Sequence, residues 1–409
     1  MSLLLTLALV APQSPVVKHL SEGPQVGAPA GVALAATPDW DGDGVDDYVV
    51  GIPDYEATAP FGGQMPGAGL VEVRSGADGS LLAAVQEPIF SVTDPTWLGR
   101  SVAGGFVADS TTPAVYPMAG APGAGEVRVL SINPFGGIVT GTTVAAAADS
   151  STFLDESFGA VIANIGDITG DGRPELAVGS PEGDRLLPNP FGGSPITVAD
   201  VGRVRVFEGG TYAELGRWSG FAASGAQFGS SILAIADLNG DGIQELAVGA
   251  PGDGAGRVYL IDPTVSEAAG IVAELVGTSA GDRFGASLAN LGDLDGGGRD
   301  ELLIGAPGRS VGLTFPITTG AVEAWDGESL TQLWTKSGSF FGYMGETVAA
   351  ADLDGDGLRS ALLIDGTLLL DHPDRLRAFD GLTGVEETSF DAWPADGRAA
   401  LAAGLDTDG

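Results

Sequence analysis

Five stretches of this 409-residue chain set carboxylates at alternate positions around glycines. The first runs Asp39-Trp40-Asp41-Gly42-Asp43-Gly44-Val45-Asp46-Asp47. Oxygen-bearing side chains two residues apart, on a backbone that glycine lets turn tightly, make a cradle for a hard dication. Such an ion takes about 6–8 oxygens in a flexible shell, whereas zinc and copper favour nitrogen and sulfur. Asp39, Asp41, Asp43 and Asp47 offer side-chain oxygens here, and Val45 a backbone carbonyl. Without a cation, carboxylates this close repel one another. For a single copy an Asx-rich turn is the plainer reading, because Asp and Gly are ordinary turn residues.

The pattern recurs at one internal spacing, which turn chemistry does not require. The second copy offers Asp167, Thr169, Asp171, the Arg173 carbonyl and Glu175. The third offers Asp237, Asn239, Asp241, the Ile243 carbonyl and Glu245. The fourth keeps Asp293, Asp295, the Arg299 carbonyl and Glu301, but Gly297 stands where the others have an acid. The fifth has Asp352, Asp354, Asp356 and the Leu358 carbonyl, with Ser360 at the closing place. The expected cofactor is Ca²⁺ at about five sites, the first the tightest, because the flexible Gly-rich loop suits it better than the stricter Mg²⁺. An EF-hand would need flanking helices and a Glu at the twelfth place, and β-type runs flank these loops instead.

Those runs define the elements that must hold the loops. Asp39 and Asp352 are 313 positions apart. Five repeats between them average about 63 residues, enough for a four-stranded unit. A worn repeat runs from Leu98 through Asp109-Ser110-Thr111-Thr112 to Pro122; with the pattern of acids missing, it should keep its strands and bind no metal. In each unit a short apolar strand (Ser231–Ala236 in one copy) enters the loop. A second strand, apolar on both faces as in Leu246-Ala247-Val248-Gly249, leaves it. A third alternates, as in Arg203-Val204-Arg205-Val206-Phe207, and turns at Glu208-Gly209, Asp262-Pro263, Asp326-Gly327 or Asp380-Gly381. A more variable fourth strand follows. With 66 glycines and 25 prolines the chain is a many-turned all-β protein rather than a helical one.

Phe158-Gly159 with Gly179-Ser180-Pro181, Phe228-Gly229 with Gly249-Ala250-Pro251, and Phe284-Gly285 with Gly305-Ala306-Pro307 resemble FG-GAP repeats. The likeness covers about residues 30 to 409. It implies the seven-bladed β-propeller of four-stranded blades found at the head of integrin α subunits. The last blade then looks truncated at Gly404-Leu405-Asp406-Thr407-Asp408-Gly409, with a six-bladed ring as the alternative. The domain plan is a signal peptide over 1–11, a segment 12–30 that could lend a strand to the last blade, and the propeller over 31–409. The first unit departs from the pattern with Ala30-Gly31 and Gly51-Ile52-Pro53. The sixth has Met344-Gly345 and no Gly-Ala-Pro.

Charge and composition narrow the function. A net charge of −36 argues against nucleic-acid and anionic-membrane surfaces, and no run after the N-terminus approaches a membrane span. There is no cysteine, hence neither disulfide nor thiolate site. Gly308-Arg309-Ser310-Val311-Gly312 matches a nucleophile-elbow pattern, but a helix should follow such an elbow and none is expected here. Loops after the second strand are long at Asp54–Gly69, Glu182–Gly202 and Gly308–Gly320, where Tyr55, Phe61, Phe191 and Phe315 could anchor a partner. In the resembled fold these loops lie opposite the calcium hairpins, on the face integrins use for ligands. The reading is a secreted or cell-surface, non-catalytic module for a protein or glycan ligand. The alternatives are a carboxylate-dependent polysaccharide-degrading propeller and a structural spacer.

Overall fold

A computed structural model describes residues 3–6, 19–22, 33–58, 64–86, 95–107, 115–132, 138–145, 153–154, 157–220, 224–312, 317–353, 355–366 and 375–391. Among them the regular structure is β-strand, apart from two short 3-10 turns at Pro122–Ala124 and Glu267–Gly270. The protein is all-β, built of the four-stranded antiparallel blades of a β-propeller. Six such blades are described. Blade 1 is Ala33–Thr37, Asp47–Ile52, Leu70–Arg74 and Leu81–Gln86; blade 2 is Val102–Val107, Val115–Ala121, Glu126–Ile132 and Ile138–Ala145. Blade 3 is Val161–Asn164, Leu176–Ser180, Arg203–Phe207 and Glu214–Ser219; blade 4 is Ser231–Ala234, Leu246–Ala250, Arg257–Ile261 and Ile271–Val276. Blade 5 is Leu288–Gly292, Glu301–Ala306, Ala321–Trp325 and Gln332–Ser337; blade 6 is Val348–Ala351, Ser360–Asp365, Arg375–Asp380 and Glu386–Asp391. The seventh acidic loop expected at 404–409 lies outside the described residues. Leu3–Thr6 pairs with His19–Glu22 in a ribbon of its own.

The blades fall into two compact units that divide near Arg217. The second strands of blades 1, 3, 4 and 5 are buried along their whole length, as their two-faced apolar runs require. Apolar side chains of successive blades meet in shared clusters. Val49, Val71 and Val73 of blade 1 pack with Val102, Ala119 and Ala121 of blade 2. Leu303, Val322 and Ala324 of blade 5 pack with Val348, Ala361 and Leu363 of blade 6. The phenylalanine of the Phe-Gly motif packs between blades. Phe158 lies in the cluster of blades 2 and 3, Phe284 in that of blades 4 and 5, and both are fully buried. Leu98 and Met344 take the same place in the degenerate motifs.

A backbone contact between blades accompanies these clusters. The motif glycines Gly99, Gly159, Gly285 and Gly345 have φ between +84° and +91°, which only glycine adopts at little cost. Each directs its carbonyl at the glycine next to last in the preceding blade's second strand. A Cβ on Gly51, Gly120, Gly249 or Gly305 would lie 2.0, 1.9, 2.0 and 2.0 Å from that oxygen. In three blades a serine two residues after the motif glycine reaches across. Ser101 Oγ donates to Gly159 O at 2.7 Å, and Ser231 to Gly285 and Ser287 to Gly345 at 2.8 Å. This Phe-Gly-x-Ser signal was present in the sequence and carries an inter-blade bond that motif reading alone did not assign.

Losing one such hydroxyl strands a desolvated carbonyl, at about 1–2 kcal/mol. Ser287→Ala should therefore lower stability by about that amount in a denaturant titration. Gly305→Ala should cost more, at the upper end of the roughly 1–3 kcal/mol of overpacking, because the clashing atom is backbone.

Candidate metal centres

Each acidic loop joins the first strand of its blade to the second and is shaped by its own backbone. The paired glycines are left-handed throughout: Gly42 and Gly44 at φ +83° and +88°, Gly240 and Gly242 at +82° and +88°. The N–H groups so exposed point at the leading aspartate. Asp39 accepts from Gly42, Asp43 and Gly44 at 2.6, 3.2 and 2.9 Å. Asp167 accepts from Gly170, Asp171 and Gly172, Asp237 from Gly240 and Gly242, and Asp352 from Gly355 and Gly357. The Gly44 N–H, with those of Gly42 and Asp43, holds the Asp39 carboxyl below the usual range. The Gly242 and Gly240 N–H groups do the same for Asp237. At Asp167 burial works the other way, and the N–H groups of Gly172, Gly170 and Asp171 outweigh it.

The closing acids behave differently. Asp47, Glu175, Glu245 and Glu301 are all buried. One oxygen of each accepts the N–H of the loop's second residue: Trp40 at 2.7 Å, Ile168 at 2.6 Å, Leu238, and Leu294 at 2.6 Å. Asp47 spends its other oxygen on the N–H of Gly76, in the turn after the third strand, at 3.0 Å. Burial pushes the carboxyls of Asp47, Glu175, Glu245 and Glu301 up. Sequence reading assigned these residues to a cation alone, whereas they also tie the loop shut. A buried acid was not legible in a surface-type motif.

The structure brings most of the expected side chains together. Carboxylate oxygens of Asp39, Asp41 and Asp43 lie within 4.8 Å of one another, as do those of Asp167, Asp171 and Glu175, and those of Asp293, Asp295 and Glu301. Oxygens about 2.3–2.6 Å from a central Ca²⁺ sit at such separations. In blade 1 the group forms without Asp47, whose shorter side chain is held at the backbone. In blade 3 Thr169 Oγ1 donates to Glu175 at 3.1 Å rather than standing free. In blade 4 Asn239 donates to Asp241 at 3.1 Å, while Oε1 of buried Glu245 has no hydrogen-bond partner. A buried, unpaired carboxylate oxygen is costly unless a cation faces it, so the donor set fits a hard dication. In blade 6 Asp354 lies outside the described residues, and Ser360 donates to Glu387 at 2.6 Å. The worn loop of blade 2, 108–114, which holds Asp109 as its one acid, also lies outside them.

The long loops leave the other end of the second strand, a strand's length of about 3.3 Å per residue away from the acids. They are hairpins rather than irregular loops: Ala57–Thr58 pairs with Gln64–Met65, Asp184–Leu187 with Ile196–Val198, and Ser310–Val311 with Ile317–Thr318. Phe153–Leu154 adds a third strand to the second hairpin. Phe191 stands at its tip, 96% exposed, on a turn held by Asn189, which accepts from Phe191 N and donates to Ser194 O. Tyr55 differs from expectation, packing half-buried against Tyr48, Val50, Ile52 and Leu70. Phe61 and Phe315 lie outside the described residues. Ser310 is on a two-residue ribbon beside Thr318, not at a strand-to-helix turn.

A sequence profile of the FG-GAP repeat matches residues 158–207 and 228–261, which are blades 3 and 4 from the motif phenylalanine to the end of the third strand. These are FG-GAP repeats. The chain is similar to integrin α subunits: integrin alpha-5 of Xenopus laevis is 31% identical over 243 residues, 54% of this chain and 21% of the integrin. Integrin alpha-4 of Xenopus laevis is 34% identical over 205 residues, 44% of this chain and 19% of its own length. Integrin alpha-IIb of Homo sapiens is 32% identical over 199 residues, 44% and 19%. The chain thus spans about a fifth of the length of these relatives, and its fold is that of an integrin α-like β-propeller.

The buried glutamates set a pH response for the metal-free FG-GAP loops. Their raised values mean that the native state holds protons which the unfolded chain releases above its ordinary value of 4.5. This contribution is full below 4.5 and lost as pH rises through the raised values. In chelator, Glu245→Gln should therefore leave the melting temperature at neutral pH unchanged or higher. In calcium the same variant should melt below the wild type.

Proposed function

We propose that this chain is an extracellular, calcium-stabilised, non-catalytic binding module for a protein or glycan. The observation that carries the reading is polarity along blades 1, 3 and 5: a carboxylate group at one end of the second strand, a hairpin at the other. The similarity to integrin α subunits supports placing it on the outside of a cell. Among the described residues no helix is long and apolar enough to cross a membrane. Residues 1–11 are proposed as a leader removed on export.

At the metal end, Asp39, Asp41 and Asp43 would hold one ion, and Asp167, Asp171 and Glu175 another. Asp237, Asn239, Asp241 and Glu245 would hold a third, Asp293, Asp295 and Glu301 a fourth, and Asp352, Asp354 and Asp356 a fifth. The carbonyls of Val45, Arg173, Ile243, Arg299 and Leu358 complete these shells. A bound cation supplies positive charge that offsets the clustered carboxylates and secures the hairpin between the two inner strands. At ~1 mM free Ca²⁺ and a dissociation constant of ~0.1 mM, each site adds about 1.4 kcal/mol to stability. At the other end, the Phe191 hairpin presents an apolar side chain on an ordered turn, the kind of anchor that interfaces use.

Two experiments separate these ends. Melting scans of the full chain in calcium and in chelator should differ by several degrees, and Asp41→Ala should narrow the gap. Identical curves would remove calcium from the reading. Phe191→Ala should leave both curves in place, since its side chain packs against nothing. It should weaken retention of the protein on a glycan or extracellular-protein array by about tenfold. Unchanged retention would take the hairpin out of the binding face.

A further inference from the structure

Blade 5 has an incomplete loop, and the turn beside it carries a carboxylate at a position where the turns of blades 1, 3, 4 and 6 have none. The fifth loop residue is Asp43, Asp171, Asp241 and Asp356 in blades 1, 3, 4 and 6, but Gly297 in blade 5. The turn after the third strand lies against the loop. A Cβ on its glycine would meet the carbonyl before the closing acid: Gly76 against Asp46 O at 1.9 Å, Gly209 against Pro174 O at 2.5 Å, and Gly327 against Asp300 O at 2.2 Å. Strand register aligns these turns, because Arg74, Phe207, Ile261, Trp325 and Phe379 each face the residue after the closing position. Three residues beyond that register point stand Ala77, Gly210, Thr264, Glu328 and Leu382. Among these five turns a carboxylate occurs there only beside the loop whose fifth residue is glycine.

The geometry matches the pattern. A Cβ built on Gly297 would be 2.8 Å from Asp295 Oδ1 and 3.3 Å from Glu328 Oε2. Glu328 thus borders the space that an aspartate side chain at 297 would fill, beside a carboxylate of the Asp293, Asp295 and Glu301 group. Its backbone is fixed by its N–H bond to Asp326 Oδ1 at 3.0 Å, while its side chain is exposed and free to turn inward. A fourth negative charge gains nothing beside three others unless a cation is shared. We propose that Glu328 is the replacement ligand of the blade 5 site, supplying from the neighbouring turn the oxygen that Gly297 withholds. The inference rests on the calcium reading above, and it makes this site a two-segment one, unlike the contiguous loops.

The test is calcium binding to the full chain by isothermal titration, with melting scans as a second readout. The variants are Glu328→Gln, Asp295→Asn, and Glu328→Gln combined with Gly297→Asp. Gly297 is not left-handed, and the nearest obstacle to a side chain is the mobile end of Asp295, so the added aspartate fits. Glu328→Gln should weaken one site by about tenfold, lower the melting temperature in calcium and leave it unchanged in chelator. Adding Gly297→Asp should restore both. If Asp295→Asn removes a site while Glu328→Gln binds as wild type, the replacement ligand is overturned and the calcium reading stands. If the wild type takes up no calcium, both fall. Equal losses in calcium and in chelator would make Glu328 a turn-packing residue and overturn the proposal.

Discussion

The contact on which the blades depend is an oxygen pressed into the space of a missing side chain. The carbonyls of Gly99, Gly159, Gly285 and Gly345 lie so close to the preceding blade's second strand that a methyl group there would overlap them. Both glycines are required, one for its left-handed backbone and one for its absent Cβ. Because the contact is backbone to backbone, it fixes the approach of successive blades independently of side-chain packing. The phenylalanine then fills the wedge between them, at an edge to Phe207 in blade 3 and to Trp325 in blade 5. The leucine of blade 2 and the methionine of blade 6 can replace it because the glycines beside them are retained.

The same economy shapes the acidic loops. Left-handed glycines turn N–H groups onto the leading aspartate, and the closing acid reaches back to the loop's second N–H, so the hairpin holds its form through its own hydrogen bonds. A register shift at the end of the third strand recurs in blades 1, 4, 5 and 6 and bends the following turn over the loop. The loop is therefore walled by two segments, one of which sequence reading had treated as a mere connection. A side chain from that second wall can take part in the chemistry, which is why blade 5 tolerates a glycine where the others carry an acid.

Much of this was legible in the chain. Arg203–Phe207 and Ala321–Trp325 have the extents that their alternation gave, and the second strands are buried as their unbroken apolar runs require. The first strand of blade 4 ends at Ala234, two residues early, because Ile235 donates to Glu245 O outside the ladder. Composition could not show that Glu175, Glu245 and Glu301 are buried, since an acidic loop reads as solvent-exposed and only the chain path takes its last residue beneath the turn. Nor could it show that the long loops are ordered ribbons, because Pro and Gly there hide strands of two to four residues. Tyr55 looked like a surface anchor and instead packs half-buried on the core, being one turn from Ile52, whose carbonyl accepts its N–H.

The hairpin around Phe191 has one more consequence. Gly192 and Gly193 sit at its apex with φ +78° and +98°, and a Cβ on either would touch nothing within 4 Å. The flanking Asp184–Leu187 and Ile196–Val198 strands pair without the apex residues. The peptide bond after Phe191 is thus an accessible substrate for an aromatic-specific protease, and its cleavage would leave every blade strand intact. An inserted sequence between the two glycines would likewise displace no buried group. Evolution or an engineer can lengthen the molecule at this apex, and a tag or second domain placed there would be held away from the acidic loops by the length of the blade.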